Sequence, residues 1–192
     1  MSRAVVIQGP TTNYDELKEK WGPNIVWSTW KGSESYYLDQ DNVIYSKPPI
    51  ENGTCNVNLQ KISTLNGLKK AKQLGYTRAV KTRSDLYPTD YYKLVSLFKE
   101  GLNVTFFHNH KEGYYVDYIF EGDIDLLIQC FSFNDINPSY AEQTITKQIN
   151  KIYPKKDICY YGKFLNKSND LFWIKNNIYL STYSNDPKFL TP

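Results

Sequence analysis

The chain has 192 residues, 41% of them hydrophobic and 22% charged, which places it among one-domain globular proteins and excludes a disordered chain. A net charge of +3, with no basic run and no RNA-binding signature, sets nucleic acid aside as a partner; only stacking of single strands on tyrosines stays open. No apolar stretch approaches the length that crosses a bilayer, and the first apolar run is too short for a signal peptide, so a cytoplasmic protein is expected.

Ala4-Val5-Val6-Ile7 reads as a buried strand ended by Gln8-Gly9-Pro10. Thr11 or Thr12 then caps a helix that runs to about Trp21, with Asp15 and Glu16 in its first turn and Gly22-Pro23 at its end. Asn24 to Trp30 is a second strand, Tyr36 to Asp39 a short helical piece, and Val43-Ile44-Tyr45 a third strand stopped by Pro48-Pro49. Residues 50–57 form a loop around Asn52-Gly53. A helical pattern follows from Asn58 to Tyr76, with Gly75 as C-cap. After the strand 78–83 come a breaker, Leu86-Tyr87-Pro88, and a helix capped by Thr89 with Tyr91, Leu94, Val95 and Phe98 on one face. Val104 to Phe107 and Tyr114 to Phe120 read as strands, Ile124 to Phe133 as a helix, and Pro138-Ser139-Tyr140-Ala141-Glu142 as a helix start. Beyond Pro154 the chain is β-like and aromatic. Strands that alternate with helices predict an α/β domain over residues 1–192: a mostly parallel Rossmann-like sheet flanked by helices, with an aromatic β or irregular C-terminal portion.

The surplus of aromatic side chains (17 Tyr, 9 Phe, 4 Trp) suits a site that stacks flat rings, although most such residues fill cores. Cys55, Cys130 and Cys159 form no C-x-x-C pair, so reduced thiols are expected, with neither a zinc knuckle nor a disulfide framework. The sequons at Asn52, Asn103 and Asn166 matter only in a secreted protein.

The chain's chemistry concentrates in Arg78-Ala79-Val80-Lys81-Thr82-Arg83-Ser84-Asp85. A strand with Lys81, Arg83 and Asp85 at its carboxyl end brings opposite charges to the rim of a sheet, where open α/β sheets bind ligands. Asp85 offers hard oxygens to a phosphate-bound Mg²⁺ or Mn²⁺, and Lys81 or Arg83 offers donors to phosphate. The plainer alternative is an Arg83–Asp85 ion pair beside a turn.

Four ordered pieces carry a family resemblance. They are Val5-Val6-Ile7-Gln8-Gly9-Pro10; Ile25-Val26-Trp27-Ser28-Thr29-Trp30; Asn58-x-Gln60-x-x-Ser63-x-x-x-Gly67-Leu68-x-x-Ala71; and Lys81-Thr82-Arg83-Ser84-Asp85. Together they resemble the WavE lipopolysaccharide-synthesis family and the wider set of enzymes with the GT-A glycosyltransferase fold, over residues 4 to about 145. The resemblance implies a nucleotide pocket lined by Gln8, Gly9 and Pro10, with Ser28 and Thr29 beside it. Asn58, Gln60 and Ser63 either face the nucleotide from the start of their helix or, equally, Asn58 or a neighbour caps that helix. The resemblance also implies a metal carboxylate at Asp85, the last position of a D-x-D motif. The sequence departs from that motif by having Arg83 where the first Asp would stand.

The implied activity moves a sugar from a UDP- or GDP-activated donor to a glycan or other hydroxyl acceptor, with Mn²⁺ or Mg²⁺ at the departing diphosphate. An inverting transfer also needs a carboxylate to take the acceptor proton. Asp117 opens an acceptor-side D-x-x-x-x-G stretch similar to the family's, or is a strand-end Asp bonded to backbone. Glu142 stands in a family-like Ala-Glu-Gln start, where a capping box with Ser139 explains it equally well. His108 and His110 form an H-x-H pair that suits a metal or a solvent-exposed loop. Glu121, Asp123 and Asp125 read as a helix N-terminus. The alternatives are a sugar-phosphate nucleotidyltransferase, whose Gly-rich basic opening loop Gln8-Gly9-Pro10 does not match, and a non-catalytic sugar- or nucleotide-binding module. The Asn-, Lys-, Ile- and Tyr-rich composition points to an AT-rich bacterial or large-DNA-virus genome.

Overall fold

The computed structural model describes residues 3–32, 41–107, 114–133, 141–154, 158–160 and 172–174. The strand-forming run at the start becomes β1 (Arg3–Gln8), followed by α1 (Tyr14–Trp21), β2 (Ile25–Trp30) and β3 (Val43–Ser46). A 3-10 turn at Thr54–Asn56 leads into α2 (Val57–Gln73), then β4 (Arg78–Arg83), β5 (Leu86–Pro88) and α3 (Tyr91–Ser96). The chain continues through β6 (Leu102–Phe107), β7 (Tyr114–Asp123), α4 (Ile124–Phe131), α5 (Ala141–Ile152), β8 (Ile158–Tyr160) and β9 (Phe172–Ile174).

Seven strands form one sheet in the order β3-β2-β1-β4-β7-β6-β8, while β5 and β9 pair separately. Strands β1 to β4 run parallel, and β7 pairs antiparallel with both β4 and β6. The expected α/β architecture is therefore present, with β7 as its antiparallel member. The central strand β1 is apolar on both faces because the sheet is covered on both. Ala4 and Val6 of β1 pack with α2, α4 and α5; Val5 and Ile7 pack with α1, β5 and α3. Gly67 lets α2 approach β1 closely, since a Cβ there would lie 2.4 Å from Val6 Cγ1.

Several boundaries differ from the sequence reading. Leu86-Tyr87-Pro88 is a strand and not a breaker; Leu86 and Tyr87 are buried against Trp21, whose indole N–H donates to the Leu86 carbonyl at 2.9 Å. Asn13, not Thr11 or Thr12, precedes α1, with no side-chain cap bond. Asp90, not Thr89, caps α3 by accepting from the Lys93 N–H, and Phe98 falls beyond that helix. Gly75, at φ +87°, follows a cap at Leu74. The helical piece at 36–39, the H-x-H pair, Ser139 of the capping box, the sequon at Asn166 and most of the aromatic tail lie outside the described residues.

The acidic run divides. Asp123 caps α4, its Oδ1 accepting from the N–H groups of Asp125 and Leu126, and Asp125 pairs with Lys72. Glu121 does something else: it is fully buried in β7 and holds Arg3, Arg78 and Asn103. The Asn103 sequon side chain is thereby consumed inside the fold. Asp123→Ala is expected to lower stability by about 1 kcal/mol, the usual cost of losing a cap, as read from the midpoint of urea unfolding.

Candidate functional site

The order β3-β2-β1-β4 reverses direction between β1 and β4, because the chain leaves β1 toward β2 on one side and reaches β4 on the other. At such a reversal the loops beyond the two strand ends separate and leave a crevice. A cleft of about 850 Å³ opens there, within the range of small-molecule sites. Gln8, Gly9, Pro10, Thr12 and Asn13 line it after β1. Arg83, Ser84 and Asp85 line it after β4. The start of α2 contributes Asn56, Leu59, Gln60 and Ser63, and Trp30 and Asp117 complete the wall.

The two strand ends touch. Ser84 N–H donates to the Gln8 carbonyl at 2.8 Å. Gly9 has φ +130°, and a Cβ there would sit 2.1 Å from Ser84 Oγ. Only glycine meets both demands. Gly9→Ala is expected to lower stability by about 2 kcal/mol and to displace Ser84 from the cleft wall, which a Tm measurement with ligand titration would register. Indifference to this change in both readouts would contradict the close contact.

A row of alternating charges crosses the floor. Arg83 Nε donates to Asp85 Oδ1 at 2.8 Å and Nη2 donates to Asp85 Oδ2 at 2.5 Å, a bidentate fork. Arg83 Nη1 donates to Asp117 Oδ1 at 3.1 Å. The guanidinium also lies over the Tyr118 ring, 5.4 Å from its centroid. Although burial opposes its charge, these two carboxylates push the Arg83 pKa further up. The ion pair foreseen as the plainer alternative is present, then, but it extends to a second carboxylate and borders the cleft. Asp117 is 1% exposed and reaches the wall from β7.

Behind this row lies Lys81, which is fully buried. Its ammonium donates to the Asp117 carbonyl and sits 5.7 Å from the ring centroids of both Phe120 and Phe131. The Gln8 amide is satisfied when its nitrogen faces Thr64 Oγ1 at 2.6 Å and Ser63 Oγ at 3.2 Å, and its oxygen accepts from Lys81 Nζ at 3.1 Å. Lys81 thus ties β1 to β7 beneath the cleft. Burial pulls its pKa down to about 8, against the favourable charge of Asp117.

Of the residues foreseen, the structure brings Gln8, Gly9, Pro10, Gln60, Ser63, Arg83, Asp85 and Asp117 together around one cleft. Five others stand off its wall. Ser28 and Thr29 are buried within the fold, their hydroxyls without a partner among the described residues. Asn58 turns away and donates to the Glu51 carbonyl at 3.0 Å. Lys81 is too deeply buried to meet a phosphate. Glu142, in the first turn of α5, stands within electrostatic reach of Asp117, and its pKa is raised by burial and then by that neighbour's charge.

Sequence reasoning missed Thr12, Asn13, Trp30, Asn56, Leu59 and Ser84 as wall residues. Asn56 carried a usable signal: it takes a left-handed conformation, φ 62°, just before α2, a geometry that asparagine tolerates better than most residues.

A resident divalent cation does not fit the donor set. Both Asp85 oxygens already accept from Arg83, whose positive charge would stand directly beside the ion. Among the described residues no three His, Cys, Asp or Glu side chains come together as a metal group. The Cys130 thiol is buried and its pKa is pushed up to about 12 by that burial, as expected of an inert core cysteine.

Comparison with known proteins found no matching family model and no matching curated protein. Among solved structures, the chain is similar to a crystal structure of a "Putative Glucose-1-Phosphate Thymidylyltransferase" from Bacillus anthracis in complex with a sucrose. That similarity has a TM-score of 0.43 at 11% identity, over 83% of this chain and 86% of that one. Agreement at this level carries no functional argument. No described helix is long and apolar enough to cross a membrane.

Proposed function

We propose that this chain is a glycosyltransferase of GT-A type, related to the WavE-like family, that moves a sugar from a nucleoside-diphosphate donor to a hydroxyl of a glycan acceptor. The observation that carries the reading is the cleft at the β1/β4 reversal, where a glycine-tightened loop faces an arginine flanked by carboxylates. Its volume suits a nucleotide sugar. Trp30 offers an aromatic surface on the wall, and Gln60 and Asn56 offer amides that can fix a polar ring.

The chemistry follows from the charges. As the glycosidic bond to the diphosphate breaks, negative charge grows on the departing oxygen, and a cation fixed there stabilises the transition state more than the ground state. Arg83 is the cation on the wall. Asp117 accepts the proton of the attacking hydroxyl, and Glu142, whose pKa is raised, stands behind it.

Thermal unfolding against nucleoside diphosphates and nucleotide sugars tests the reading, since a ligand that binds only the native chain raises Tm as RT ln(1 + [L]/Kd). One nucleotide should raise it, and its sugar conjugate should then release the nucleoside diphosphate when a glycan acceptor is present. Release of pyrophosphate from a nucleoside triphosphate and a sugar phosphate would instead identify a nucleotidyltransferase. Nucleotide binding without turnover would identify a binding module.

A further inference from the structure

We infer that the cleft holds the donor's diphosphate without a divalent cation, Arg83 supplying the positive charge that a metal would otherwise bring. This rests on the nucleotide reading above and goes beyond it by naming the phosphate's partner.

Three observations lead there. First, the carboxylate best placed for a metal is already occupied. Asp85 presents both oxygens to the guanidinium fork, and its charge is offset at 2.5–2.8 Å. A dication at Asp85 would have to displace that fork or accept a like charge in the adjoining position. Second, Arg83 has donors to spare. A guanidinium has five N–H groups, and three are engaged, one each by Nε and Nη2 on Asp85 and one by Nη1, which reaches Asp117 Oδ1 at 3.1 Å and Oδ2 at 3.5 Å. Among the described residues that leaves two, one on each terminal nitrogen, and Arg83 is among the cleft's wall residues. N–H groups on the two terminal nitrogens can meet two phosphate oxygens.

Third, the flanking groups hold the guanidinium in place and balance its surroundings. Asp85 and Asp117 fix its plane from two sides while Tyr118 lies beneath it, so little side-chain freedom is left to lose when an anion arrives. The two carboxylates would repel a phosphate if they stood alone. Lys81, buried behind the row, balances the second of them, so Lys81 and Arg83 together match Asp85 and Asp117 in charge. A group of four whose charges cancel, with N–H donors left on its arginine, is a receptor for an anion, and both of its carboxylates are already engaged by the guanidinium.

Isothermal titration of the full chain with UDP and with GDP, each in EDTA and again in Mn²⁺, tests this. The expected result is binding of one nucleotide in EDTA with an affinity that Mn²⁺ leaves unchanged. Arg83→Gln should weaken that binding by about 10- to 100-fold, the loss of charge-assisted hydrogen bonds. Asp85→Asn should not abolish it, and the binding that is left should be the same in EDTA and in Mn²⁺, because the substitution removes a negative charge from beside the phosphate and keeps one of the two oxygens that hold Arg83. A metal-bridged site predicts the opposite for Asp85→Asn, so this variant decides the matter even if Arg83→Gln fails to fold. Binding that needs Mn²⁺ and disappears in Asp85→Asn would overturn the inference and leave the nucleotide reading standing. Binding of neither nucleotide under either condition would remove both.

Discussion

Asp117→Asn is expected to cut sugar transfer by about 10²- to 10⁴-fold, the range for loss of a positioned general base, while the nucleotide-induced rise in Tm persists. The two readouts separate because Asp117 serves two purposes through different atoms. Its side-chain carboxylate faces the cleft and would take the acceptor's proton; its backbone carbonyl holds Lys81 and is untouched by the substitution. Asparagine keeps an oxygen where Arg83 Nη1 now donates at 3.1 Å, so the guanidinium retains its orientation. What is lost is the capacity to accept a proton. Transfer within tenfold of the unsubstituted chain would move the base to another group, and Glu142 is the nearest alternative. Its raised pKa means that it gives up its proton at a higher pH than an ordinary glutamate does. If Glu142 were the base, Glu142→Gln would lower turnover and remove an acid-side limb displaced upward in pH.

Both the fold and the position of the cleft were legible in the sequence, because both follow from signals with a fixed period. The apolar run Ala4–Ile7 before Gly9-Pro10 and the β-type run Arg78–Arg83 after a helical pattern mark strands of a covered parallel sheet, and the residues directly after them have to lie at its carboxyl rim. Gln8-Gly9-Pro10 and Arg83-Ser84-Asp85 are such residues, and both reach the cleft. Which side chain turns toward a ligand is a different kind of information. In β4 alternate residues face opposite sides of the sheet, so Lys81 and Arg83 were read as equivalent cations on one side. They differ in depth. Lys81 sits two residues further back, where α4 and β7 close over it with Phe131 and Phe120, and only Arg83 passes the rim. Ser28 and Thr29 failed as pocket residues for a related reason. They belong to β2, one strand removed from the reversal, where the cover of the sheet is complete. The pairing of Arg83 with Asp117, separated by 34 residues, depends on β7 returning antiparallel beside β4, and no local pattern announces that pairing.

The buried lysine also sets a pH dependence opposite to that of an ordinary surface cation. Lys81 has a pKa of about 8 in the native chain, against 10.5 for the unperturbed side chain, because burial penalises its charge more than Asp117 repays. Between those two values the unfolded chain holds the proton and the native chain does not, so stability rises with pH across the window from 8 to 10.5. Below pH 8 both states are protonated and the native state bears the whole cost. The difference is on the order of 3 kcal/mol at 1.36 kcal/mol per pKa unit. Tyr118 works the other way higher up: burial raises its pKa to about 12, so its contribution is present at neutral pH and declines above pH 10. Comparing the chain with Lys81→Met isolates the lysine, since Tyr118 is common to both. Methionine has the length to fill the space between Phe120 and Phe131 without a charge. Urea unfolding at pH 7.5, 9 and 10 should show the unsubstituted chain gaining stability relative to Lys81→Met as the pH rises. A difference that stays flat would mean that the native chain keeps the Lys81 proton across the window, held by Gln8 and Asp117 as firmly as by water. A full slope already present below pH 8 would mean that Lys81 is neutral in the native chain, and it could then no longer balance the second carboxylate beneath the cleft.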